Sequence, residues 1–247
     1  MSTGFKGPIV HGTASTADGF NYRVGMGMMP TAEFMVFHDD FILPFASNTT
    51  IGWTAIIDTG GTSITNLTAT VGANGVMAMN SDDASEGSAI YGAKAFQLVA
   101  NKKMFIECRV RCDDVTDNTF QFGLSALTAV TNPEDLWTTT ATDLVTFGLG
   151  DGDSNPKMLV DKSNSGTSQQ VQTIKGMTPD TWATLAIYFD GTNVHGFVDG
   201  TWVMKWGSAA STIPVGVPLA PFVGHLNGNG AGNNTSLVDY LRIVSER

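Results

Sequence analysis

The sequence predicts an all-β chain: an antiparallel β-sandwich carried on an extended N-terminal arm. Three observations predict it. Apolar residues alternate with polar ones at period two in several segments, the mark of half-buried strands. Turn residues recur about every 8–12 positions, the spacing of sandwiches and barrels. No segment of useful length carries a helical period. The turns rely on glycine, 28 residues against 9 prolines, so they use positive-φ geometry more than proline's fixed angle.

The arm comes first. Residues 1–33 are rich in Gly, Thr, Ser and Met, and their apolar side chains (Phe5, Ile9, Phe20, Tyr22, Met26, Met28 and Met29) follow no period. Two readings stand: a disordered tail, or an arm that docks on a neighbour. Disordered tails are depleted in such residues, and methionine adapts to irregular surfaces. These seven residues are therefore the expected partner-binding set.

The sandwich is expected over 34–247. Phe34 to Phe41 opens it, followed by Gly52 to Asp58, Ser63 to Val71, Val76 to Met79 and Ala95 to Val99. Met104, Ile106, Cys108 and Val110 then alternate with Phe105, Glu107, Arg109 and Arg111, an apolar face backed by an exposed, ion-paired one. Phe120, Phe122 and Leu124 form another inward set. Val145 to Leu149 and Lys157 to Val160 flank the polar stretch Asp151 to Asn155 as a hairpin, and Gln170 to Ile174 follows. The best-patterned stretch, Trp182 to Trp206, reads as a three-strand meander. Its inward sets are Leu185, Ile187, Phe189, then Val194, Gly196, Val198, then Trp202, Met204, Trp206, with turns at Asp190-Gly191 and Asp199-Gly200. Leu219 to Leu226 and Leu237 to Val244 complete the set.

Composition narrows the function. Apolar residues make up 42 % and charged ones only 15 %, with 13 basic against 23 acidic residues and a net charge of −10. An acidic surface without a basic run repels phosphate, so no nucleic acid is expected as a partner. No apolar run approaches the ~18 residues of a membrane helix, and the first residues show no signal-peptide core. Cys108 and Cys112 lie four apart on one strand, about 13 Å at ~3.3 Å per residue, too far to pair within the roughly 7 Å a disulfide needs. They read as small buried hydrophobes of a protein kept in a reducing compartment.

No catalytic constellation stands out. The five glutamates (Glu33, Glu86, Glu107, Glu134, Glu246) offer no Glu-x-Asp-x-x-Glu strand of the laminarinase kind. Asp151-x-Asp153-x-Asn155 begins like a calcium loop but lacks its remainder, and reads as a polar hairpin. Asn80, Asp82, Asp83 and Glu86 form a second polar cluster read in the same way. His11, His38, His195 and His225 are scattered, and no Gly-x-Ser-x-Gly elbow occurs. Of the tryptophans, Trp137 sits in the most loop-like context and is the candidate for a sugar-stacking platform. No cofactor and no enzymatic activity are expected.

Two resemblances add to this. Trp182, Leu185, Ile187, Asp190, Gly191, Val194, Val198, Asp199, Gly200 and Val203, with the closing stretch Leu237 to Ile243, are similar to the core of laminin-G and concanavalin-like jelly rolls. The resemblance covers about Phe37 to Val244 and implies a fold, not a function. The order of parts also resembles small virion proteins of tailed bacteriophages: an arm with Gly7-Pro8, then Asp39-Asp40-Phe41, then Gly52-Trp53. That implies a homo-oligomeric decoration or cement protein on the capsid surface, assembled in the host cytoplasm and bound to the major capsid protein through its arm. The alternative is a carbohydrate-binding or receptor-binding module of a phage fibre, with a glycan as partner.

Overall fold

The computed structural model describes residues 34–247 apart from 42–48, 51–52, 59–62, 67–74, 127–129, 138–142, 151, 164–167, 172–173, 207–211 and 229–231. The seven arm residues expected to bind a partner lie outside the described residues. Seventeen strands are described, and one short 3-10 turn, Pro133–Leu136.

In chain order the strands are β1 (Phe34–Asp39), β2 (Thr49–Thr50), β3 (Trp53–Ile57), β4 (Ser63–Asn66), β5 (Met77–Ser81) and β6 (Gly87–Tyr91). Then come β7 (Phe96–Gln97), β8 (Met104–Cys112), β9 (Asn118–Ser125), β10 (Leu144–Gly150), β11 (Asp153–Asp161) and β12 (Ser168–Val171). The last five are β13 (Ala183–Phe189), β14 (Val194–Val198), β15 (Thr201–Trp206), β16 (Pro218–Asn227) and β17 (Asn234–Glu246). They form two antiparallel sheets. One has eight strands in the order β15-β14-β13-β8-β17-β5-β4, with β1 also pairing β17. The other has nine, in the order β12-β11-β10-β9-β16-β6-β3-β2, with β7 pairing β16. The antiparallel sandwich expected from the sequence is what forms.

Strand alternation places the core. Met104, Ile106, Cys108, Val110 and Cys112 of β8 face Phe120, Phe122 and Leu124 of β9 across the interior. Both cysteines are free and buried on that face, and burial pushes the Cys112 thiol up to about 12, so it is not a nucleophile at neutral pH. The Asp199-Gly200 hairpin is a two-residue turn with both residues at positive φ (47° and 77°), which matches the twist of the strands it joins. The Asp190 turn is longer than the tight turn read from the sequence. It spans residues 190–193, and the Asp190 carboxylate accepts from the backbone N–H groups of Thr192 and Asn193.

Two expectations are corrected, and one strand is added. Trp202 does not point inward with Met204 and Trp206. A bulge between Gly196 and Phe197 makes Val203 the extra residue and turns Trp202 to the outer face beside Phe197. Glu107 is not an exposed ion-pairing residue: it is 6 % exposed and accepts a 2.8 Å hydrogen bond from the Tyr240 hydroxyl. Its neighbours Arg109 and Arg111 do form surface pairs, with Asp239 and Asp180. Finally, β6 was not anticipated, because Gly87, Ser88 and Ala89 carry neither alternation nor strand propensity.

One part of the core is polar. His225 of β16 is fully buried, and its Nε2 and Nδ1 meet the hydroxyls of Ser81 (2.8 Å) and Ser236 (2.9 Å) on the opposite sheet. Asn118 Nδ2 also donates to Ser236 Oγ. These bonds tie β16 and β9 to β5 and β17, and the low-dielectric interior strengthens each of them.

Candidate functional site

The outer face of the nine-stranded sheet is an ordered surface on which ligand-binding side chains could be aligned. Its central strands present Thr119, Gln121, Gly123 and Ser125 from β9, Thr146 and Gly148 from β10, and Ala220, Phe222 and Gly224 from β16. None of the outward residues on these three strands is Asp or Glu. Thr146 Oγ1 donates to Gln121 Oε1 at 3.0 Å, and Gln121 Nε2 donates to the Leu149 carbonyl at 2.7 Å. The central polar pair is thus bonded internally.

Beside it the chain fills its own surface. The turn Pro133–Leu136 is fixed by Asp135, whose carboxylate accepts from the Thr131 hydroxyl and from the backbone N–H groups of Thr131 and Asn132. The turn delivers Leu136 and Trp137 onto Ala89 and Phe222. The Trp137 ring stacks on Phe222, with centroids 6.1 Å apart and planes 13° from parallel. A Cβ at position 224 would lie 2.1 Å from Cζ3 of that ring, so Gly224 is the notch that admits it. Trp137, the candidate for a sugar-stacking platform, is 5 % exposed and serves as a plug. Sequence reasoning missed this because the partner residues arrive from β6 and β16, distant in the chain.

The carboxylates gather at the rim of this face. Burial, then the charge of Asp135, raises the Asp58 carboxyl above its usual range, against the hydrogen bond it accepts from the Gly87 N–H. Burial, with Asp58 and Asp135 nearby, also raises Glu134, and Glu86 rises from burial and from Asp83, Asp82 and Asp58. Among the described residues no group of three His, Cys, Asp or Glu is arranged to hold a metal ion. Within the two polar clusters read from sequence, Asn80 accepts from the Thr235 hydroxyl and Asp153 accepts from the backbone and side chain of Asn155. Asp151 lies outside the described residues.

Among the described residues the histidines do not converge, and His11 lies outside them. His38 is exposed on β1 beside Tyr240. His195 is held on the opposite sheet between Asp190 (2.9 Å) and the indole N–H of Trp202 (3.3 Å). That indole donates to Nδ1, so the ring proton sits on Nε2 and faces Asp190. Burial works against the Asp190 charge, but bonds from the Asn193 backbone, His195, Thr192 and the Asn193 side chain bring its pKa to about 2. His225 and Ser81 have the spacing of a nucleophile and base, yet they are sealed between the sheets. Burial lowers His225 to about 3, which keeps the imidazole neutral. The other tryptophans are also engaged. Trp53 donates to Asp39 at 2.6 Å, Trp206 donates to Thr212, and Trp182 lies half-buried under the Arg109 guanidinium at 4.8 Å.

No family model matches the chain, and no curated protein does. Solved structures do. A protein of unknown function from Shewanella oneidensis MR-1 aligns with TM-score 0.58 at 12 % identity, covering 87 % of each chain. The carbohydrate recognition domain of Emp47p aligns with TM-score 0.59 at 11 % identity, covering 89 % of this chain and all of that one. LamAcat from Zobellia galactanivorans aligns with TM-score 0.55 at 12 % identity, covering 84 % and 96 %. At such identities the likeness establishes the fold, a concanavalin-like β-sandwich. Lectin and glycan-active proteins both use it.

Proposed function

We propose that the chain is a non-catalytic adhesion module, and more narrowly a decoration or cement subunit on the head of a tailed bacteriophage, bound to the major capsid protein as a homo-oligomer. The observation that carries the non-catalytic part is the plugged outer face of the nine-stranded sheet. Glycoside hydrolysis needs two carboxyls flanking the scissile bond at roughly 5–9.5 Å. The central strands here offer Gln121 and Thr146 bonded to each other, and Trp137 occupies the adjoining space. The virion part is supported by the order of arm, Asp39-Asp40-Phe41 and Gly52-Trp53, and by an acidic surface that would keep particles apart in solution.

Purified full-length protein should co-sediment saturably with phage heads that lack it, and glycan arrays should return no ligand tighter than about millimolar. Failure to sediment with heads would remove the virion reading. The second reading, a glycan- or receptor-binding module of a fibre, is favoured by the carbohydrate recognition domain among the similar folds. A selective glycan ligand at micromolar concentration would put it first.

A further inference from the structure

We propose that the open edge of β1 pairs antiparallel with the β1 of a second copy of this chain, about a two-fold axis at Val36. A strand at the edge of a sheet carries a row of backbone N–H and C=O groups that bind another strand unless something guards them. Among the described residues β1 has β17 on one side and no strand on the other. Its six residues, Phe34 to Asp39, keep an unbroken register with β17 and include no lysine and no proline.

The other described edges are guarded. β2 and β7 have two residues each, and β4 and β12 have four, too short to template a long ladder. β15 is as long as β1, but it carries the exposed Lys205 and pairs with β14 through a bulge, which twists the edge away. β1 has none of these devices, and Val36 at its middle is 55 % exposed.

The strand is self-complementary in one register. Residues paired in a continuous sheet stand on the same face. Met35 and Phe37 pack on the core, so Phe34, Val36 and His38 face outward, and a two-fold axis can sit on Val36 or on Phe37. On Phe37 it would set Met35 against Asp39, whose carboxylate is already held by the Trp53 indole and the Phe41 backbone N–H. On Val36 it sets Val36 against itself, Met35 against Phe37 and Phe34 against His38, with no carboxylate among these pairs. Apolar and aromatic cross-strand pairs of this kind stabilise a ladder. One strand pair buries less than the ~1,200 Å² of a standard interface, so the dimer dissociates at about micromolar concentration or above. The pairing supplies a contact for the homo-oligomer proposed above, and it rests on that reading for its purpose but not for its chemistry.

Sedimentation velocity of the purified full-length protein, between about 1 and about 500 µM, should show monomer passing to dimer. Val36→Lys sets two like charges opposite each other at the axis and should weaken the dimer at least about fivefold. Its circular dichroism should match wild type, because the site is exposed. Val36→Cys should give a disulfide between two chains on mild oxidation, since cross-strand Cα atoms lie about 4.5–5.5 Å apart, within disulfide reach. Wild type should give none, as Cys108 and Cys112 are buried. A chain that stays monomeric throughout, as it would with its own N-terminal arm on this edge, would overturn the proposal. Equal association by Val36→Lys and wild type would do the same. No phage head enters the experiment, so a failure to dimerise and a failure to sediment with heads are separate results.

Discussion

The two outward faces of the sandwich are both closed at their centres, but by different means. On the nine-stranded sheet the closure is built from residues that pack like a core: Leu136 and Trp137 sit on Ala89 and Phe222, with Gly224 cut away to admit the indole. On the eight-stranded sheet the buried patch includes a carboxylate, Glu107, and an imidazole, His195, each with a specific partner, and charged residues surround it. The first face therefore depends on shape and the second on apolar contact mixed with polar pairing. Burial on an outer face is thus reached by shape in one sheet and by apolar contact with polar pairing in the other.

The largest effect should come from the plug. Trp137→Ala should destabilise the fold by about 3–5 kcal/mol, as for buried aromatics generally, whereas a surface platform would lose under about 1 kcal/mol. Gly224→Ala, which drives a Cβ into the same ring, should cost about 1–3 kcal/mol by overpacking. Urea unfolding of both variants checks this, and a small loss for both would mean the ring leaves its notch at little cost.

Acid should act next, through the polar part of the core. The pKa of His225 is depressed to about 3 in the folded state against an ordinary value of 6.5. The unfolded chain therefore takes up a proton below pH 6.5 that the native one refuses, and stability falls as pH drops towards 3. Between pH 6.5 and 4.5 the loss is roughly 2 kcal/mol, since the full ~1.4 kcal/mol per unit is reached only below the unfolded pKa. Asp190 acts in the same sense at lower pH, while the raised Asp58 and Glu134 oppose it. His225→Gln should flatten the dependence of the urea midpoint on pH between 7 and 4.5. A slope equal to that of wild type would assign the acid sensitivity elsewhere.

The smallest effect separates the two sides of β8. Arg111→Ala removes an exposed pair with Asp180 and should cost under about 1 kcal/mol. Glu107→Ala leaves the Tyr240 hydroxyl without its buried acceptor and should cost about 1–3 kcal/mol. Equal losses in thermal unfolding would return Glu107 to the solvated face that its alternation with Arg109 and Arg111 suggested.

What could be read in the chain followed from local periodicity. The alternation in β8, β9 and β13, the Asp199-Gly200 hairpin and the position of both cysteines were legible, because a strand with one apolar face has a single way to bury it. β6 was not, since Gly87 to Ala89 become a strand only between β16 and β3. The single-residue bulge that turns Trp202 outward was hidden for a related reason: period two is blind to an inserted residue until the partner strand is known. The site residues were the least legible. Trp137 and Glu107 have ordinary sequence contexts for a loop aromatic and a charged strand face, and both are buried by residues far away in the chain. The sequence by itself determined an antiparallel sandwich and the inward set of its best strands, because propensity, turn chemistry and alternation act over a few residues. Only the tertiary structure decided which outward residues meet water, because burial on an outer face depends on which distant segment comes to lie over it.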